Sequence, residues 1–316
     1  MKNKMIPVTF PNAEGLKLFG ILHINEAARK NKTGIIILSP GIKSRVAPHR
    51  LYIKMARQFE KMNFPVLRFD FYGLGDSEGE IDAKYTADLY GSIQVGRYID
   101  DTKSAIDWMQ NELGIEKFIL AGLCGGAITG LHAAYNDKRI NSILSLGIPV
   151  ILDSANIDRY KFISKGQLEH LRSGYIKKAL NPKYWLRILL LKSDFRLLVK
   201  SLFLSFKKKD SEDNKKINKS LPVNEAGNFN HYFPKIFNSF IENRKINLIF
   251  SGSDRLLWEF DEKFKSRYSH EIDNHKGNIS LNVVKDANHI FSFTDWQIEM
   301  LEISSSWIMQ VSGTDN

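Results

Sequence analysis

The sequence predicts an α/β fold: a mostly parallel central sheet with helices on both faces, an antiparallel hairpin at its N-terminal end and a helical insertion late in the chain. Three observations carry this. Short β-branched runs alternate with segments of helical period. The runs are continuously apolar rather than alternating, as strands buried on both faces must be. One stretch, residues 153–245, breaks the alternation and holds no convincing central strand. A length of 316 residues, 43% hydrophobic and 25% charged, suits a globular α/β domain carrying an insertion.

In order, IPVTF (6–10) and LKLFGILHI (16–24) flank the turn PNAEG and read as a hairpin. GIIILSPG (34–41) is a buried strand closed by Pro and Gly. Leu51, Ile53, Met55, Ala56, Phe59 and Met62 give residues 48–63 a helical period. FPVLRFDF (64–71) is the next strand and ends in the Gly-rich loop YGLGDSEGE. A helix is predicted over 89–112, a strand over 117–122, a helix over 125–136 and a strand over 140–152. Strands at 246–252 and 279–284 and a helix at 294–311 complete the pattern. The domain reading is therefore a core of residues 1–152 and 246–316 with 153–245 as a cap. Within that cap, residues 181–209 read as two amphipathic helices, started by the cap and first-turn pair Asn181–Pro182 and by Ser193. Such an insertion reads as a lid.

Composition narrows the function classes. One cysteine excludes an internal disulfide and a multi-cysteine zinc site, and is compatible with a reducing cytoplasm. No metal motif appears, and no cofactor is expected. MKNKMIPVTF lacks the apolar h-region of a secretory signal. No run of about 18 uncharged apolar residues suggests a membrane span. The net charge of +10 points to anionic surroundings. Lys183, Arg187, Lys192, Arg196 and Lys200 alternate with apolar residues in the lid. Two readings of that pattern stay open. The lid packs its apolar side over the site with solvated cations outside, or it meets an anionic lipid surface. The expected location is cytoplasmic, with peripheral contact at the inner membrane face under the second reading. The interleaving residues are aliphatic, so nucleic acid is not an expected partner.

The chemistry centres on the only cysteine. Gly122-Leu123-Cys124-Gly125-Gly126 is a G-x-C-x-G placed between a predicted strand and a predicted helix, the context of a nucleophile elbow. So sharp a turn strains the central residue, and Gly122 and Gly126 relieve clashes on either side. The helix N-terminus favours negative charge at the thiol. The expected chain order is nucleophile, acid, histidine. Asp254 follows the strand INLIF, and His289 lies in KDANHIFS after the last strand. Asp153, after the strand ending PVIL, is the alternative acid. The expected oxyanion donors are the backbone N–H groups of Gly125 and Ile42, the latter in the loop after GIIIL. His49 and Arg50 are read either as a substrate-binding pair or as a surface pair in the first turn of a helix.

These residues resemble the α/β-hydrolase superfamily, near the serine-aminopeptidase-like hydrolases. The chain is most similar to exosortase A system-associated hydrolases, which accompany bacterial exopolysaccharide loci. The matching stretches are SPGIKSRVAPHR (39–50), FPVLRFDFYGLGDSEGE (64–80), AGLCGGA (121–127), LNPKYWLRILL (180–190), SGSDR (251–255) and ANHIFS (287–292). A cysteine in place of serine is a feature of that group, which typically has an acidic residue where this chain has Gly125. The resemblance implies a hydrolase. The residues suggest an acyl ester or thioester substrate, small or lipid-like, processed through Cys124, His289 and Asp254 by a thioacyl-enzyme. Acyl transfer from the same intermediate is one alternative. A non-catalytic, ligand-holding component of a polysaccharide pathway is the other.

Overall fold

Among the described residues eight strands, β1 (Lys4–Pro11), β2 (Lys17–Ile24), β3 (Thr33–Leu38), β4 (Val66–Phe69), β5 (Lys117–Leu123), β6 (Ile140–Leu146), β7 (Lys245–Ser251) and β8 (Ile279–Val284), form one sheet in the order β1-β2-β4-β3-β5-β6-β7-β8. The structure, a computed structural model, describes residues 4–153 and 228–313. Strands β1 and β2 make the predicted antiparallel hairpin, and β2 continues antiparallel onto β4. From β4 onward every pairing is parallel, through β3, β5, β6, β7 and β8. Ile35, Ile36, Ile37 and Leu38 are all fully buried, so both faces of β3 are covered, as the unbroken apolar run required.

Helices α1 (Leu51–Lys61), α2 (Thr86–Gln94), α3 (Ile99–Leu113) and α4 (Gly125–Asn136) follow, then α5 (Tyr232–Ile241), α6 (Arg255–Glu259), α7 (Ser269–Asn274) and α8 (Thr294–Ser312). On one side of the sheet Tyr52, Met55 and Phe59 of α1 and Met300, Trp307 and Ile308 of α8 pack with Ile35, Ile37, Ile119, Ala121, Leu144 and Ile249. Helices α2, α3 and α5 pack around α4. Among the described residues no helix is long and apolar enough to cross a membrane.

Several boundaries differ from the sequence reading, each for a physical reason. The single helix predicted over 89–112 is two, because Gly96 takes φ 107° between α2 and α3. Strand β6 stops at Leu146, where Gly147 (φ 61°) turns the chain. The cap does not extend to residue 245. The sheet-centred unit includes Phe229–Asn316, so residues 229–245 belong to the core. Phe233, Ile236, Phe237, Phe240 and Ile241 form one apolar stripe of α5 and are buried. Phe233 and Phe237 stack at 5.4 Å and both meet Phe264. Losing one such ring costs about 3–5 kcal/mol, so this helix is integral to the core. The two predicted lid helices lie outside the described residues.

Candidate functional site

The site grows from the C-terminal end of β5. Cys124, half-buried, follows the strand directly and is the N-cap of α4, with φ 53° and ψ −109°. That conformation is rare for a residue with a Cβ and stores strain. The surroundings enforce it. A Cβ on Gly122 would lie 2.4 Å from the Gly126 carbonyl carbon, and one on Gly126 would lie 2.3 Å from the Leu38 oxygen. Strand, turn and helix therefore pack closer than any side chain allows. The Cys124 N–H donates to the carbonyls of Leu146 (2.9 Å) and Gly147 (3.1 Å), fixing the turn against β6.

Asp254 and His289 arrive from the next two strand ends. Asp254 follows β7 and caps α6, its Oδ1 accepting the Leu256 N–H at 3.4 Å. His289 is presented from the loop after β8 between two fully buried anchors, Ala287 and Phe291. The two loops are tied together: the Ser253 N–H donates to the Ala287 carbonyl at 2.9 Å, and Gly252 N–H to Val284 at 2.9 Å. This registration lets His289 Nδ1–H donate to Asp254 Oδ2 at 2.6 Å. Burial alone would lower the basicity of His289. The hydrogen bonds to Asp254 and to Cys124 outweigh it and push the pKa up to about 10. With Nδ1 committed to the carboxylate, the other ring nitrogen serves the sulfur. Such a group holds a proton next to the Cys124 sulfur at neutral pH.

The loop after β3 reaches the same point. A Cβ on Gly125 would fall 2.6 Å from Gly41 Cα and 2.7 Å from its nitrogen. This loop therefore lies directly on the first residue of α4, with Ile42 next in the chain. Arg45 holds the loop. Its guanidinium pairs with the fully buried Asp70, reaches Asp76 at 2.6 Å and lies 4.4 Å above the Phe19 ring. The Gly-rich stretch FYGLGDSEG is thus a clamp on the β3 loop. The sequence reading did not single out Arg45, one of several cations in SPGIKSRVAPHR with no pattern to separate it.

Asp153 does not meet His289. Its N–H donates to Gln94 Oε1 at 2.7 Å, Gln94 Nε2 returns a bond to its carboxylate at 3.4 Å, and Arg255 stands 3.6 Å away. Arg255 also donates to Glu259 at 3.0 Å. Desolvation pushes the buried Glu259 up to about 7, against the pull of Arg255. This cluster behind the acid was not anticipated from the sequence. Arg255 and Glu259 sit four residues apart on one short helix, a spacing that reads equally well as a surface pair. His49 and Arg50 are exposed, both with positive φ (55° and 59°) ahead of α1. Neither is brought to Cys124 by any contact among the described residues. No group of three His, Cys, Asp or Glu side chains there is arranged to hold a metal ion.

A sequence profile described as alpha/beta hydrolase fold matches residues 35–295. No curated protein sequence gives a significant match. Among solved structures, the esterase Pf2001 of Pyrococcus furiosus is similar over 98% of this chain and 94% of its own, at 17% identity and a TM-score of 0.58. The α/β hydrolase GrgF from Penicillium sp. sh18 covers 98% of both chains at 17% identity and a TM-score of 0.53. A lidless α/β serine hydrolase from Xanthomonas campestris covers 97% of this chain and 96% of its own, at 13% identity and a TM-score of 0.50. At these identities the structural likeness speaks for the fold. With the profile spanning most of the chain, and an elbow, an acid and a histidine at the ends of β5, β7 and β8, the protein belongs to the α/β hydrolase fold family, and hydrolase is its activity class.

Proposed function

We propose that this chain hydrolyses acyl esters or thioesters through Cys124, His289 and Asp254. The observation that carries the reading is the strained Cys124 at the N-terminus of α4, facing a histidine already bound to a carboxylate at 2.6 Å. The Cys124 thiolate attacks the acyl carbonyl carbon, forming a C–S bond and an oxyanion. The backbone N–H groups of Gly125 and Ile42 receive that oxyanion. Collapse breaks the bond to the alcohol or thiol leaving group, which takes the proton held by His289. Water then gives a proton to His289 and attacks the thioester, releasing the acid and regenerating the thiolate. Asp254 keeps the imidazole in one orientation and tautomer throughout. Arg50 and His49, on the rim after the β3 loop, are proposed to meet polar groups of the substrate. Residues of the 154–227 segment are proposed to cover the site as a lid, its basic face offering peripheral contact with an anionic membrane.

A thioester intermediate also passes its acyl group to amines, thiols and alcohols, so transfer to a second substrate is the other outcome of the same attack. The likeness to an esterase fits the hydrolytic branch. The cysteine and the matching stretches favour a place beside bacterial exopolysaccharide or lipid-linked metabolism.

The test uses the only thiol in the chain. Iodoacetamide alkylation is followed against pH for the wild type and for His289→Ala. The expected wild-type rate stays high well below the free-thiol pKa of about 8.5 and collapses in the variant. Rates that rise only near that value in both proteins would falsify the pair. Ester and thioester substrates, each with and without an amine or alcohol acceptor, then separate hydrolysis from transfer.

A further inference from the structure

Tyr52 lies in the first turn of α1 and is completely buried. Its hydroxyl oxygen accepts the backbone N–H of Leu123 at 2.7 Å, across 71 residues of sequence. Leu123 is the residue before the nucleophile. Its N–H has lost a strand partner for a definite reason. Strand β3 pairs with β5 only as far as Leu38 opposite Gly122, then leaves the sheet as Ser39-Pro40-Gly41. In a parallel ladder successive N–H groups point to opposite sides. The Cys124 N–H points to β6, where it finds Leu146 and Gly147. The Leu123 N–H therefore points to the gap that β3 has vacated, and Tyr52 fills it. A buried amide left without an acceptor would relax by moving the backbone, and here that backbone is the elbow.

Two further observations single out the hydroxyl rather than the ring. Its own proton meets no oxygen or nitrogen acceptor among the described residues, so a phenylalanine would pack there with one polar group fewer to bury. The approach to α1 is strained as well: Ala47, His49 and Arg50 all have positive φ, and the Tyr52 N–H ties back to the Val46 carbonyl at 3.3 Å. The start of the helix is thus held in one position relative to β5. Burial drives the phenol's pKa far up, and charge on Cys124 adds to the rise. The two groups lie within each other's field.

We propose that Tyr52 is a positioning residue for the nucleophile: by supplying the acceptor that β3 withdraws, it holds Leu123, and so the strained backbone of Cys124, at the height the reaction needs. The proposal rests on Cys124 being the nucleophile. It gives α1 a part in the chemistry without any contact with substrate.

The test is Tyr52→Phe in the full-length protein, with p-nitrophenyl acetate and iodoacetamide as probes. The expected result is a fall of about tenfold or more in kcat with KM within about twofold, and a comparable fall in alkylation rate at neutral pH. Phe59→Leu is the control, since Phe59 belongs to the same helix and the same core but has no hydrogen bond to the elbow. It should lower the melting temperature and leave both rates alone. Tyr52→Phe behaving like that control, with a lower melting temperature and unchanged rates, overturns the proposal. If Tyr52→Phe does not fold, amide hydrogen exchange in the wild type decides instead. The Leu123 amide should be as protected as that of Leu120 in mid-strand, and exchange at loop rates overturns the proposal. Cys124→Ala separates the two readings. Turnover that survives it sinks the thiol mechanism, whereas turnover lost in Cys124→Ala but intact in Tyr52→Phe sinks only the positioning role.

Discussion

The turns after β6 and after β7 offer a matched pair of carboxylates. Asp153 and Asp254 each follow a strand of the same sheet, and both are almost fully buried. Their partners differ. Asp254 has His289 at 2.6 Å, while Asp153 has Gln94 on both its backbone and its side chain, with Arg255 beside it. Even Gln94 is fixed, its carbonyl accepting from Asn230 (2.8 Å) and bonded to the His132 ring at 3.0 Å. What separates the two acids is therefore neither depth nor position along the sheet but what the neighbouring loop presents. The loop after β8 is pinned to the loop after β7 by the Ser253–Ala287 hydrogen bond, so its histidine meets the later acid. A buried carboxylate already matched to a guanidinium and an amide has no reason to move.

Neutralising each acid in turn separates them most directly. Asp254→Asn should cost about a thousandfold to ten-thousandfold in kcat, because the histidine loses its orienting acceptor and takes the wrong tautomer. Asp153→Asn should stay within about tenfold of wild type, since it removes charge from a cluster that does not touch the reacting atoms. Steady-state kinetics on a single ester measures both. Equal losses would mean that the acids share the role. A large loss in Asp153→Asn alone would reverse the assignment.

The second effect is on stability against pH, and the two regions should respond in different windows. His289 goes from 6.5 in the unfolded chain to about 10 in the fold. Its folded state binds the proton more tightly, so its contribution is full below about pH 6.5 and is lost as pH rises toward 10. Urea midpoints measured from pH 6 to 10 should fall, and Asp254→Asn should flatten that fall. Stability that rises across this window would contradict the hydrogen-bonded pair.

Glu259 gives the smallest and sharpest contrast. Its pKa moves from 4.5 to about 7, so the fold favours the neutral acid, and stability should decline between those values. Glu259→Gln should remove this decline while leaving the His289 window untouched and kcat within about threefold. Loss of both windows together would show that the clusters around Asp153 and Asp254 titrate as one.

Much of this architecture was legible because burial on both faces leaves a strand no choice but an unbroken apolar run. The runs at 34–38 and 118–123 are examples. The placement of Cys124, Asp254 and His289 at successive strand ends was legible because the fold restricts their order along the chain. Other features were hidden because their signals are not periodic. Gly96 breaks a helix that its neighbours would continue. The stripe on α5 is strongly helical, but position in sequence assigned it to the insertion when it belongs to the core. Arg45, Glu259 and Tyr52 act through partners about 25 to 70 residues away or on an unremarkable short helix, and nothing in a linear reading distinguishes them. Asp153 could be weighed only as an alternative, because both acids satisfy the same linear rule.

Where residues 154–227 leave and rejoin the sheet unit, Ile151 forms an isolated antiparallel bridge with Phe229, and the Asn230 N–H donates to the Val150 carbonyl at 2.9 Å. The two ends are thus zipped together by residues that belong to the core, next to Asp153 and its partners. The entropy of bringing those ends together is met by this stitch, and further lengthening costs only about 0.6 kcal/mol for each doubling of the loop. The neck therefore works as a socket. Segments of very different length and sequence can be grafted there without disturbing β6 or β7, so the chain can exchange what lies between residues 153 and 228 while the sheet unit stays as it is.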